Sequence, residues 1–290
     1  MSTTSAQAAR SFELLRASLF ALAAALVFIL PCLGRAQDQS AATPSATVVR
    51  DPQALTLVQS AVKALTGSVG ITDVTLQASA SYVAGSDEET GTATLIALGN
   101  MQSRTLLNLS GGQRLEVRNL FAGIWSGPDG VVHPMAGQNC LIDASWFFPT
   151  MTFQAILTDP QMAVAYLGMD TSKGRALLHV QVARIVAGQS ASANADFLRE
   201  STMDFYLDPQ SLLPLVVDFN IHPAAIRAIN IPVEIQFGDF RNTNGALVPF
   251  RIQKLVVGTL TLDLTISSVT VNSGIPASVF ALPTAEGGQQ

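Results

Sequence analysis

The residues in this chain that are able to do covalent or metal chemistry are few. There are three histidines, His133, His179 and His222, and two cysteines, Cys32 and Cys140. No histidine is spaced from another His, Cys or carboxylate as a metal-ligating pair on a helix or strand would be, so no metal site is expected. Gly123-Ile-Trp-Ser-Gly127 places its serine one position too late for a nucleophile elbow. Gly111-Gly112 lacks the following Lys-Ser/Thr that a phosphate-cradling loop needs. Cys140 reads as a small buried side chain and Asp143 as a turn or helix residue. With no acid, base and nucleophile set, the chain is expected to be no enzyme and to carry no cofactor.

The other candidates are apolar. Trp125 and the run Trp146-Phe147-Phe148 either line an apolar pocket or fill an ordinary core. Ile235 and Phe237 belong to one alternating row, and Leu260, Leu262 and Leu264 to another. These nine residues are the expected ligand-binding set.

The elements that must position them are mostly strands. Thr259 to Ser267 alternates Leu260, Leu262, Leu264 and Ile266 against Thr, Asp and Ser, which gives one apolar and one wet sheet face. Ile231, Val233, Ile235 and Phe237 alternate with Glu234 and Gln236 in the same way. Asn244-Gly245 between two such runs is a two-residue hairpin signal, because both residues tolerate positive φ. Val74 to Ala80 opens a similar series of short strands that runs to Gly127. Asp51-Pro52 opens a helix with Asp as N-cap, Ala54, Leu55, Val58, Ala61, Val62 and Leu65 form its apolar stripe, and Gly67 ends it. Residues 131–162 lose the period of two and read as a short helical insertion ending in aromatics. Residues 187–196, small and polar, read as a surface loop.

This order resembles the periplasmic lipoprotein-carrier fold (LolA/LolB-like and related lipid-binding envelope proteins). The local likenesses are Tyr206-Leu-Asp-Pro-Gln-Ser-Leu-Leu-Pro214, the hairpin Phe237 to Pro249, and the closing segment Asn272 to Pro283 with its Phe280. The resemblance implies a curved open antiparallel sheet, a half-barrel, whose concave face is covered by the N-terminal helix and the insertion. It also implies an apolar cavity for acyl chains.

Composition agrees with an exported globular chain. It is 48% hydrophobic and 13% charged, with formal charge −5. That balance offers no electrostatic footprint for nucleic acid. Arg10 and Arg16 precede an apolar run, and Gly34-Arg-Ala36 has the small residues of a cleavage site, so 1–36 reads as a signal peptide. The expected organisation is 37–50 as a flexible lead, 51–283 as a single β domain and 284–290 as a disordered tail, in a periplasmic or secreted monomer. Two functions follow. One is a protein that shelters a lipid or a lipoprotein acyl chain inside the sheet. The other is a non-catalytic envelope structural or sensory domain whose core is self-filled and which contacts an envelope protein partner.

Overall fold

The structure, a computed structural model, describes residues 48–282 apart from Ser68 and Ala187. The expected signal peptide, most of the expected lead and the expected tail lie outside these residues.

Helix α1 (Pro52–Thr66) forms where its capping chemistry requires. The Asp51 carboxylate accepts the N–H of Gln53 at 2.9 Å and, across the fold, that of Tyr166 at 3.1 Å. These two backbone donors hold the Asp51 carboxyl below its ordinary pKa. Gly67, at φ 62°, ends the helix in a conformation that costs glycine little. Ala54, Val58, Ala61 and Leu65 are fully buried. The expected flexible lead is corrected at its end. Val49 and Asp51 exchange backbone hydrogen bonds with Val164, and the Arg50 guanidinium donates to the carbonyls of Ile156, Asp159 and Met162. Ile156 and Asp159 lie at the C-terminal end of the helix Pro149–Thr158, where carbonyls need outside donors, and Arg50 supplies them.

The first half of the chain gives β1 (Asp73–Ala84), β2 (Asp87–Leu98), β3 (Gln102–Leu109), β4 (Gly112–Asn119), β5 (Ala122–Ser126) and β6 (Val132–Pro134). The second half gives β7 (Met162–Asp170), β8 (Leu177–Arg184), β9 (Met203–Leu207), β10 (Pro214–Ile221), β11 (Ile231–Thr243), β12 (Ala246–Val256) and β13 (Thr259–Val271). All thirteen strands form one sheet in the order β6-β5-β4-β3-β2-β1-β13-β12-β11-β10-β9-β8-β7. The sheet is antiparallel and curved, and it is not closed into a barrel. The two halves are therefore meanders that grow away from a shared seam, β1 against β13. At Asn244 and Gly245, φ is 52° and 88°, the two positive values that a tight hairpin of this kind demands.

This topology fixes the path of the insertion. The chain leaves the sheet at β6, one edge, and re-enters at β7, the other. The connection must cross a face, and it crosses the concave one. It contains a 3-10 turn at Gly137–Cys140 and helix α2 (Pro149–Thr158). Phe147, Phe148, Phe153 and Ile156 are completely buried there, in one core with Leu76, Leu95, Ile235 and Leu264 of the sheet.

The seam is tied by Asp73. Its carboxylate accepts the N–H groups of Ser273 and Gly274 and the Ser273 and Thr72 hydroxyls, at 2.8 to 3.2 Å. Burial alone would raise its pKa; the donors outweigh that and hold the carboxyl below the ordinary value.

The surface loop expected over 187–196 is overturned. Helix α3 runs from Ala191 to Ser201, with the Ser190 hydroxyl accepting the Ala193 N–H at 3.2 Å. Alanine propensity and an N-cap build it without a wide apolar stripe. Its inward residues are polar and satisfied. Asn194 bonds the backbone of Val186, and Glu200 is paired with Arg199 and Arg227.

Candidate functional site

The concave face has a filled part and an open part. Tyr82, Leu262, Lys254, Ile235, Val217, Phe205 and Val180 are successive cross-strand partners and form one row across it. Every member but Lys254 is aromatic or aliphatic. Of the nine sequence candidates, Phe147, Phe148, Ile235 and Leu264 have no exposed surface and Phe237 has 5%. They are packed against protein. Trp125, Trp146 and Leu262 come together beside empty space. Leu260 leaves the inner row. An extra residue, Thr261, bulges between the pairs Lys254–Leu262 and Leu255–Leu260. The bulge puts Leu260 opposite Leu255, which lines a cleft on the outer face.

Two cavities lie between the open part and the crossing segment. One, of about 530 Å³, is bounded by Tyr82, Leu107, Val256 and Leu262. The other, of about 480 Å³, is bounded by Met135, Ile142, Phe219 and Ile221. Glu116, Trp125, Trp146 and Lys254 belong to the walls of both, so the two adjoin along those four side chains. Trp125 is 46% exposed and stacks on His133 with ring centres 4.5 Å apart. Trp146 is nearly buried and stands edge-on to Phe147. A larger, more open groove of about 740 Å³ runs between the end of α1, α2 and the β2–β3 turn, and its walls hold no ionisable side chain.

Charge enters the paired cavities from β4 and β12. Arg114, Glu116 and Arg118 alternate on the inner face of β4, with Glu116 in register with Trp125. Arg118 is 2% exposed and is spent on backbone, donating to the carbonyls of Asn139, Ile142 and Asp143. Among the described residues its Nε has no partner, and neither has Nε2 of His222, a second buried group on the same wall. Burial pushes the pKa of Arg118 down. The Lys254 ammonium lies 5.0 Å over the Trp146 ring. Among the described residues it makes neither a hydrogen bond nor an ion pair. Burial pushes its pKa down; Glu116 opposes this from a distance and Arg118 adds to it.

The crossing segment is anchored at three points. Arg118 holds its carbonyls, as above. Asn139 accepts the His222 N–H at 2.7 Å and donates to the His222 carbonyl at 2.9 Å. Asp143 pairs with Arg184 at 2.9 Å and accepts from Asn100 at 3.0 Å. Trp146 is therefore a fixed wall. Cys140, fully buried in this segment, has its thiol pKa raised by burial, which disfavours the reactive thiolate.

Lys254 and Arg118 were not among the sequence candidates, though a signal existed. Lys254 falls between Ile252 and Val256 in the apolar phase of its strand, and Arg118 follows Glu116 in the phase of Trp125's neighbours.

No protein-family model matches the chain, and no curated protein matches it in sequence. Solved structures do resemble it in fold. A domain from Vibrio parahaemolyticus, assigned to outer membrane lipoprotein sorting, is 12% identical over 79% of this chain and 96% of its own, with TM-score 0.49. A LolA superfamily protein from Nitrosomonas europaea is 10% identical over 82% and 99%, with TM-score 0.47. A DUF1329 family protein from Desulfovibrio piger is 11% identical over 79% and 96%, with TM-score 0.46.

Proposed function

We propose that this is an exported, non-catalytic envelope protein that holds the apolar chain of a lipid or an acylated protein between its curved sheet and the crossing segment. The observation that carries this reading is the pair of adjoining cavities that share Trp125 and Trp146 as walls, one of them also lined by Leu262. Their volumes lie in the range of small-molecule sites, and their walls combine aromatic and aliphatic surface with a few polar groups. A chain burying about ten methylenes there gains about 8 kcal/mol before its ordering costs. Export rests on the leader-like residues 1–36.

The test uses the protein's own reporters, because its two tryptophans both line the cavities. Titration with a bromine-labelled fatty acid should quench both in a saturable way, and lipid should be recovered by extraction and native mass spectrometry of the purified protein. Trp125→Ala should weaken binding about tenfold while shifting stability by less than about 1 kcal/mol, since its ring is half exposed. Trp146→Ala is the poorer probe, because emptying a nearly buried indole site costs about 3–5 kcal/mol of stability by itself.

The complete burial of Phe147, Phe148, Ile235 and Leu264 favours a second reading, a self-filled structural or sensory domain. Absence of both quenching and recovered lipid would leave that reading standing.

A further inference from the structure

We infer that the ligand held here is an anionic amphiphile, and that its oxyanion pairs with the Lys254 ammonium while its chain follows the apolar walls. This rests on the binding function proposed above and specifies the class of ligand.

Four observations converge on Lys254. It occupies a position in an otherwise apolar row, between Leu262 and Ile235. Its ammonium has no carboxylate within ion-pair reach among the described residues and is offset by the face of Trp146 and, from a distance, by Glu116. Its side chain is half-buried, and a partly desolvated cation without a partner is costly, a cost that persists where a ligand completes the pair. The cation also stands on the wall that the two cavities share, so an oxyanion placed there leaves room for a chain on either side.

The surrounding charge sets the valence. Arg118 stands behind the same wall with its guanidinium committed to carbonyls, and among the described residues no carboxylate forms an ion pair with it. Glu116 is the one acid among the residues lining the second cavity. Arg118 and Lys254 against Glu116 leave a single net positive charge there, with histidines neutral. That balance suits one singly charged oxyanion, a carboxylate or a phosphodiester. Glu116 lines both cavities but makes no ion pair with Lys254, so it opposes the incoming anion.

The two acid–base partners should then act in opposite directions. In tryptophan titrations, the wild type should bind oleate and lysophosphatidylglycerol at least about tenfold more tightly than oleyl alcohol, the scale of one hydrogen-bonded charge. Lys254→Met should remove that preference and leave oleyl alcohol binding unchanged. Glu116→Gln should strengthen binding of the anions and leave the alcohol unchanged. A tighter arm for oleate assigns a carboxylate, and a tighter arm for lysophosphatidylglycerol a phosphodiester. Equal binding of all three probes by the wild type, or a preference that survives in Lys254→Met, overturns the headgroup assignment while the apolar-ligand function stands. Binding of none of the three overturns both.

Discussion

Lys173 and Lys254 act on opposite faces of the sheet. Lys173 reaches from the β7–β8 turn over the outer face, to Asp218 and Glu234 at 2.6 Å each. Lys254 stands on the inner face of β12, opposite Ile235, the residue after Glu234. Burial would lower the pKa of both. On the outer face two carboxylates outweigh burial and the pKa of Lys173 is raised; on the inner face nothing does, and that of Lys254 is lowered. Three acids stand in register there, Asp204, Asp218 and Glu234; the outer lysine serves the last two, while Asp204 is bonded to His179 and Gln181. Asp218, desolvated and flanked by like charges, still has its carboxyl pushed up. The sheet thus closes the ion pairs of Lys173 on its outer face and, among the described residues, leaves the Lys254 ammonium unpaired where space adjoins it.

Replacing the paired lysine should have the largest effect. Lys173→Met leaves Asp218 and Glu234 without their cation and should cost about 2 kcal/mol at neutral pH, less than the loss of a fully buried partner because the site is partly wet. The pH dependence has a definite sign. Without Lys173 the Asp218 carboxyl rises further above its unfolded value, so the folded state takes up a proton first as the pH falls. The deficit should be full at pH 7 and shrink as acid is added through the raised pKa, toward the ordinary carboxylate range near 4. Urea unfolding at pH 7 and pH 4.5 measures it; a deficit that grows in acid would mean that Lys173 does not balance these acids.

The outer cluster should also weaken in alkali. Tyr206, 4.9 Å under the Lys173 ammonium, has its phenol pushed up to about 12, chiefly by burial and then by Asp218 and Asp204. Its folded-state pKa exceeds the unfolded value near 10. Stability is complete below pH 10 and is lost as the pH rises from 10 toward 12, the window in which the unfolded chain has released a proton that the folded one keeps. Lys173, also raised, adds in the same direction. Tyr206→Phe should flatten part of this decline, and Lys254→Met should leave it untouched. An equal response from the two variants would erase the distinction between the faces.

The outer face was easier to read from sequence than the inner one. Strand alternation is local, so β11 and β13, the Asn244-Gly245 turn and the Asp51-Pro52 cap were legible from neighbours alone. The insertion was legible as a break in the period of two, and its route across the concave face follows once the strand order is known. What lies beneath that route was not legible. Phe147 and Phe148 meet core and Trp146 meets a cavity, although the three are consecutive, because their surroundings are set by strands up to a hundred residues away. Leu260 was misplaced by one bulged residue, Thr261, which has no signature of its own. Helix α3 was missed because its inward side is Asn194 and Glu200, whose partners lie in other elements.

The smallest effect is the most discriminating one. Lys254→Met replaces an unpaired ammonium by an apolar side chain of similar length, in a row whose neighbours are Leu262 and Ile235. The volume changes little, so packing should be kept. The desolvation cost of the charge disappears, and only the attraction to the Trp146 face and the distant pull of Glu116 are given up. Cation–π contact at a partly wet site is worth about 0.5–1 kcal/mol, below the usual cost of a buried group with no partner. The variant should therefore unfold at a slightly higher urea concentration, more stable by about 1 kcal/mol, with an unchanged m-value. Lys254→Gln, which keeps a polar group with nothing to bond, should show no such gain. A lysine that makes the folded state less stable and sits against empty space belongs to what the protein binds. If Lys254→Met instead loses stability as Lys173→Met does, the inner lysine is a structural member like the outer one, and the contrast between the two faces collapses.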